Sequence, residues 1–174
     1  MNFIDYLPIT ITCSSIVAQI VLTFVFWFNY YEIYALVILG YIFWGFTVIF
    51  GVLPIFAFRK KGGVPKKTSY MHTSKLVDTG LYAIVRHPQF LAGILWSIAL
   101  VFISQHWVVD VLLIPVVLST YIDTFKADRD LIEKFGDEYV EYMKRVPSLN
   151  ALWGIILLIF RKKKKNEKKE DAIE

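Results

Sequence analysis

The sequence predicts an all-α integral membrane protein with four transmembrane helices, the last two a helical hairpin, followed by short cytoplasmic C-terminal helices. Three observations carry this reading. The chain is 56% hydrophobic and 17% aromatic, with a mean hydropathy of +0.52, and the apolar residues lie in runs long enough to cross a bilayer. The charges are segregated between the runs rather than spread over a surface. The longest apolar region, 88–122, is too long for one span and the right length for two. One cysteine, Cys13, excludes an internal disulfide and a Cys-rich metal site, and no metal is expected. No nucleic-acid partner is expected, because the cations behind the net charge of +4 mark membrane boundaries.

Taken in order, the chain lacks Lys and Arg before its first apolar run, so no cleavable signal peptide is expected. Residues 7–28 form the first span. Thr10, Thr12, Ser14, Ser15, Gln19 and Thr23 give it a polar content suited to bonding a neighbouring helix. Asn29, Tyr30, Tyr31 and Glu32 make a turn with interfacial aromatics. The second span covers 33–58. Gly40 and Gly45 suit close helix approach or a dimer face, leaving monomer and homodimer both open, and Pro54 predicts a kink near its end.

Arg59, Lys60, Lys61, Lys66 and Lys67 then place this side in the cytoplasm, serving topology and headgroup contact. The loop runs on past His72, itself a bland residue on this reading, to Leu76–Phe90. That stretch sets Arg86 and His87 side by side before Pro88 opens an apolar helix. The hairpin is expected at 88–104 and 107–122, turning at Ser104–Trp107, where His106 is also bland.

The fourth helix shows no stop at Ile122. It is expected to run past Asp123, Lys126, Asp128, Arg129 and Asp130 and end at Gly136. A short amphipathic helix follows from Asp137, its expected cap, to Lys144, with Tyr139, Tyr142 and Met143 on one face. Residues 151–160 are too short to span and read as an interfacial or re-entrant helix. The domain reading is therefore one membrane-embedded domain over 1–160 and a polybasic, disordered tail over 161–174, near anionic lipid. Four spans put both termini and the basic loop in the cytoplasm.

A hairpin returns the end of helix four to the start of helix three. Arg86 and His87 are therefore expected beside Asp123–Asp130. A guanidinium, an imidazole and carboxylates suit a small zwitterionic or anionic ligand, with aromatic residues to cover an adenine or face a sulfonium. Taken locally, Arg86 also fits a snorkelling anchor and His87 an interfacial histidine. No Gly-rich phosphate loop, His/Cys metal spacing or Ser-His-Asp set offers an alternative chemistry.

Gly80-Leu81-Tyr82 followed by Val85-Arg86-His87-Pro88-Gln89-Phe90 resembles the G-[LI]-Y-x-x-[VI]-R-H-P-x-[YF] pattern of the isoprenylcysteine carboxyl methyltransferase family, which has phospholipid methyltransferase relatives. Leu131–Tyr142 looks like that family's L-[LI]-x-x-F-G-x-x-Y-x-x-Y segment. The resemblance covers roughly Lys75 to Pro147. It implies S-adenosylmethionine (S-adenosyl-L-methionine) as methyl donor and a lipophilic acceptor, isoprenylcysteine carboxylate-like or phospholipid-like, entering from the membrane. The carried-over cofactor residues are Leu76, Val77, Gly80, Tyr82, His87 and Pro88, with Tyr139 and Tyr142 closing a lid. Arg86 and Asp128 are the implied catalytic pair. Arg86 would contact the cofactor or orient the acceptor. Asp128 would orient a ribose, an ammonium or an acceptor proton.

The sequence leaves the family pattern where two glutamates usually stand, reading Ala127-Asp128 instead. The acceptor is therefore open among a prenylcysteine, a phospholipid amine, an isoprenoid carboxylate and a hydrophobic thiol. Two other classes compete: a membrane sterol or isoprenoid reductase using NADPH, and a non-enzymatic lipid-binding or scaffold protein.

Overall fold

A computed structural model describes residues 6–65, 69 and 73–170, with side chains through 163. Among these residues all regular structure is helical. Helix α1 (Leu7–Val21) passes into a π-helical turn (Leu22–Phe26). Helix α2 (Tyr34–Lys61), a 3₁₀ turn (Gly80–Ala83), α3 (Pro88–Ser104), α4 (Trp107–Phe135), α5 (Asp137–Arg145) and α6 (Ala151–Glu170) follow. Expectations resting on Lys66, Lys67, His72, the first five residues and the last four lie outside the described residues.

The hairpin boundaries fall where the apolar pattern put them, at Pro88–Ser104 and from Trp107. Helix α4 runs on to Phe135, and Gly136 stops it at a φ of 59°. Three differences have physical reasons. Helix α2 extends past residue 58 to Lys61, because Arg59, Lys60 and Lys61 are good helix formers and their charge complements a helix C-terminus. Asp137 is the first helical residue of α5 rather than its cap; Gly136 takes the cap position, with no side-chain bond.

The third difference concerns the tail. Helix α6 does not end at residue 160 but continues over the basic stretch to Glu170. Asn150 starts it, its Oδ1 accepting from the Trp153 amide at 3.0 Å. Lys and Glu then favour its continuation.

Three helical stretches are long and apolar enough to cross a membrane: Leu7–Phe26, Tyr34–Lys61 and Trp107–Phe135. Helix α3 is apolar but has 17 residues. At 1.5 Å per residue it reaches about 25 Å, the short end of what a bilayer requires.

The chain divides into two compact units: Met1–Leu53 with Gln89–Asp130, and Pro54–Pro88 with Leu131–Glu174. The first is held by a polar seam inside apolar packing. Thr12, Ser15, Gln19 and Thr23 recur at helical spacing on α1. Thr12 Oγ1 meets Ser119 Oγ at 2.6 Å. Gln19 Nε2 donates to the Val109 carbonyl at 2.9 Å, and Gln19 Oε1 accepts from Ser97 Oγ at 2.7 Å. Gln19 and Ser97 are fully buried, and amides in apolar surroundings persist only when both ends are bonded. Thr12 and Gln19 therefore bond across to neighbouring helices, whereas Thr10 and Ser14 bond back to the Tyr6 and Ile11 carbonyls.

Gly40 is used within this unit. A methyl there would stand 2.6 Å from Ile103 Cγ1 and 2.9 Å from the Ala99 carbonyl oxygen, so α2 and α3 touch through its missing side chain. Gly45 has open space around it.

The turn after α1 is closed from a distance in sequence. The Asn29 and Tyr30 amides donate to the Ile103 and Ser104 carbonyls at 3.0 and 2.9 Å. Gln105, itself at a φ of 57°, donates through Nε2 to Asn29 Oδ1 at 2.8 Å and to the Ile33 carbonyl at 3.0 Å. Its Oε1 accepts from the Ile33 amide at 3.2 Å. His106 is buried here, stacked on Trp27 with ring centroids 3.8 Å apart and planes at 8°.

Candidate functional site

The motif stretch lies in the second unit, and the C-terminal helices hold it. A tight 3₁₀ turn starts at Gly80, whose φ of 69° favours a residue without Cβ. The Ile84 and Val85 amides both donate to the Leu81 carbonyl at 3.0 Å. Tyr82 is buried inside this turn, its ring stacked on Phe58 at 4.8 Å between centroids. Lys61 Nζ donates to Thr79 Oγ1 at 2.9 Å, tying the end of α2 to the approach to the turn.

The two motif residues of greatest chemical interest are fixed through their backbone. The Arg86 amide donates to the Pro147 carbonyl at 3.0 Å, and the His87 amide to the Ser148 carbonyl at 3.1 Å. Two successive bonds between two non-helical segments leave little freedom to either. His87 and Pro88 are buried and Arg86 is half-buried. Val85, fully buried, anchors the stretch from below.

Helix α5 acts as a brace. Its apolar face buries Tyr139, Tyr142 and Val146, with Leu76, Leu131, Phe135 and Met143 packed against them. Tyr142 Oη donates to the Tyr82 carbonyl at 2.6 Å, a bond made out of contact with water and correspondingly expensive to lose. Tyr139 and Tyr142 are 1% and 2% exposed. Tyr142 supports the motif turn directly, and Tyr139 packs beside Tyr142 at 5.6 Å between ring centroids. Asp78 faces Arg145 across 3.8 Å, but both side chains are about half exposed, and such a pair adds little.

Helix α6 closes the other side, and here the sequence reading fell short. Gly154 is buried, and a methyl built on it would overlap the Ile84 carbonyl oxygen, so α6 rests directly on the motif backbone. Arg161, assigned to a free tail from sequence, donates through Nη2 to the Ala83 carbonyl at 3.0 Å and through Nε to the Leu157 carbonyl at 3.1 Å. Pro147, Ser148, Gly154 and Arg161 thus all hold the motif. A lone glycine inside the apolar run 151–160 was the available signal for the close approach. The backbone bonds left no signal in residue types.

The predicted residues divide between the two units. Leu76, Val77, Gly80, Tyr82, Arg86, His87, Pro88, Tyr139 and Tyr142 belong to the second and are gathered around the turn. Leu76 is half-buried, Val77 buried and Gly80 exposed. Asp128 belongs to the first unit. Of the acidic residues late in α4 it is the buried one, at 8% exposure, whereas Asp130 is exposed and Asp123 half-buried.

A helical chain with three span-length apolar helices, and with its Arg-His motif braced by amphipathic C-terminal helices, is a membrane protein. Residues 64–132 match the model of the isoprenylcysteine carboxyl methyltransferase family. Among curated proteins, the chain is 36% identical over 86 residues to the protein-S-isoprenylcysteine O-methyltransferase of Homo sapiens, covering 49% of this chain and 30% of that one. It is 35% identical to the Mus musculus protein of the same name over the same shares. To the Schizosaccharomyces pombe protein it is 38% identical over 77 residues, 42% of this chain and 31% of that one. The matched part thus spans about a third of the length of these relatives. No solved structure matches significantly. The motif at Gly80–Phe90 lies inside the family match; nearly all of the second motif, Leu131–Tyr142, lies beyond its end.

Proposed function

We propose that this chain is an integral membrane methyltransferase that takes a methyl group from S-adenosylmethionine and places it on the carboxylate of a lipophilic, prenylated cysteine acceptor. The observation that carries the proposal is the Arg86–His87 pair, pinned by two backbone bonds to Pro147 and Ser148 inside the family-matched segment. Supporting it are relatives named as O-methyltransferases of protein S-isoprenylcysteine.

The residues suit the cofactor. The space beside Gly80 is open: a methyl built there meets no heavy atom within 4 Å, so a ligand has room to approach the turn's backbone. Arg86 supplies the guanidinium that a carboxylate requires, and His87 a neighbouring polar group. When bound, S-adenosylmethionine supplies an electrophilic methyl on a sulfonium. Leu76, Val77, Gly80, Tyr82, His87 and Pro88 would hold it, with Tyr139 and Tyr142 keeping the turn in shape.

A carboxylate acceptor already carries its nucleophilic electron pair, so this chain need not provide a strong base. Its contribution is positioning and exclusion of water. Arg86 orients an anionic group of the cofactor or acceptor. On sequence grounds, Asp128 orients a hydroxyl or ammonium group of the cofactor. In the proposed topology α3 is the third of four spans. The Arg59–Lys61 end of α2, both termini and the motif face the cytoplasm, following the cation bias.

Calorimetry with S-adenosylhomocysteine on the purified, folded protein tests cofactor binding. Labelled methyl transfer to a short S-farnesylcysteine analogue tests the acceptor. Arg86→Ala is expected to lower methyl transfer by roughly 10- to 100-fold, the loss of one or two charge-assisted hydrogen bonds. Asp128→Asn is expected to weaken cofactor binding while Asp130→Asn does not. A folded protein that binds neither S-adenosylmethionine nor its demethylated product overturns the proposal.

A further inference from the structure

We infer that α6 is an anionic-lipid anchor, and that seating it in a leaflet sets the order of the motif turn. Its apolar half, 151–160, is about 15 Å long at 1.5 Å per residue, half the thickness of a hydrocarbon core. It cannot span. It is also not buried in the protein: Leu152, Trp153, Ile155, Ile156, Ile159 and Phe160 are all exposed, Leu152 by 78%. The inward face of this half is narrow and runs through Ala151, Gly154 and Leu157 to Arg161.

The exposed apolar face ends where the charge begins. Seven of the ten residues from Arg161 to Glu170 are Lys or Arg and two are Glu. A half-span of apolar helix leading directly into a cation run has one matching environment. The apolar half dips into one leaflet, and the cations meet a negatively charged headgroup layer. A zwitterionic surface would match the apolar half and leave the cation run without its complement.

The same helix touches the motif turn at two places. Gly154 lies against the Ile84 backbone, and Arg161 Nη2 donates to the Ala83 carbonyl at 3.0 Å. Both contacts are to main-chain atoms of the turn that carries Tyr82 and leads to Arg86. Holding α6 in the leaflet holds those atoms, and releasing it frees them. Lipid charge therefore acts on the motif through α6, whatever ligand the motif binds.

The test uses the full chain in nanodiscs of phosphatidylcholine alone and of phosphatidylcholine mixed with phosphatidylglycerol. The readout is hydrogen exchange at the Ile84 and Val85 amides, which are bonded inside the turn. Exchange is expected to be several-fold slower in the anionic discs. The difference should vanish in a variant carrying Lys162→Gln, Lys163→Gln, Lys164→Gln and Lys165→Gln, which keeps helix-forming residues and Arg161. Equal exchange of the wild type in both lipids, or an undiminished difference in the variant, overturns the inference. Because this readout needs no cofactor or acceptor, its failure is distinct from failure of the methyltransferase proposal.

Discussion

Replacing Gly154 by alanine sets two opposite effects against each other. In a helix interior, glycine to alanine normally stabilises by up to about 1 kcal/mol through backbone entropy. At residue 154 the added methyl overlaps the Ile84 carbonyl oxygen and stands 2.7 Å from the Ile84 carbonyl carbon. Neither atom can rotate away, so α6 must lift or the motif turn must yield. Overpacking of this kind costs about 1–3 kcal/mol, and rigid backbone partners place it at the upper end. The net expectation is a loss of about 2 kcal/mol, or a melting temperature lower by about 4–8 °C for a chain of this size.

Gly45→Ala is the internal control. It sits in α2 with nothing within 4 Å of the new methyl, so only the favourable effect operates. Thermal unfolding of both variants in one detergent, followed by tryptophan fluorescence, provides the measurement. Hydrogen exchange at Ile84 should also accelerate in Gly154→Ala alone. If Gly154→Ala melts at or above Gly45→Ala, α6 does not rest on the Ile84 backbone, and the account of how the motif is held fails.

Tyr142→Phe keeps the ring but removes the donor to the Tyr82 carbonyl. Losing that buried bond should destabilise by about 0.5–1.5 kcal/mol in chemical denaturation, and should weaken cofactor binding by loosening the turn. Gln19→Ala removes the donor to the Val109 carbonyl and the acceptor of the Ser97 hydroxyl. A loss of about 2–4 kcal/mol is expected, with Gln19→Glu no better, because a carboxylate lacks the donor that the Val109 carbonyl requires. Glu141 donates nothing to the core. Its exposed carboxylate is bonded to Lys144 Nζ at 2.6 Å, which holds its pKa below the usual glutamate range and raises that of Lys144. A depressed carboxylate contributes stability above its unfolded pKa and loses it as pH falls through the folded value. Because the pair is exposed and screened, Glu141→Gln should change melting within error at every pH, any small loss lying at neutral pH and vanishing as pH falls through the folded value.

Helix positions were legible because lipid imposes a simple rule: apolar runs must be helical, and their ends show as proline, a polar residue, an interfacial aromatic or glycine. Pro88, Ser104, Trp107 and Gly136 all obey it. The motif was legible as residue types in order, and the family match over 64–132 supports that reading. What holds the motif was not legible. The bonds from Arg86 and His87 to Pro147 and Ser148 are main chain to main chain, and any residue could make them. Arg161 was misplaced because a cation beside four lysines reads as solvated tail, whereas its side chain folds back to Ala83. Charge runs report composition, and only a tertiary contact separates one member from the rest. The polar residues of α1 lay between these cases: their presence in an apolar run suited helix bonding, but did not show that Gln19 would bond two different helices.

The turn that joins the first helix to the second has a consequence for how the chain is made. Gln105 reaches the Ile33 backbone across 72 residues of sequence, and the Asn29 and Tyr30 amides wait for the Ile103 and Ser104 carbonyls. When the ribosome has delivered the first two helices, their own connection lacks those partners and must stay hydrated. Translation of the next pair supplies them all at one stroke. The turn between the first two helices can therefore close only once residue 105 has been made.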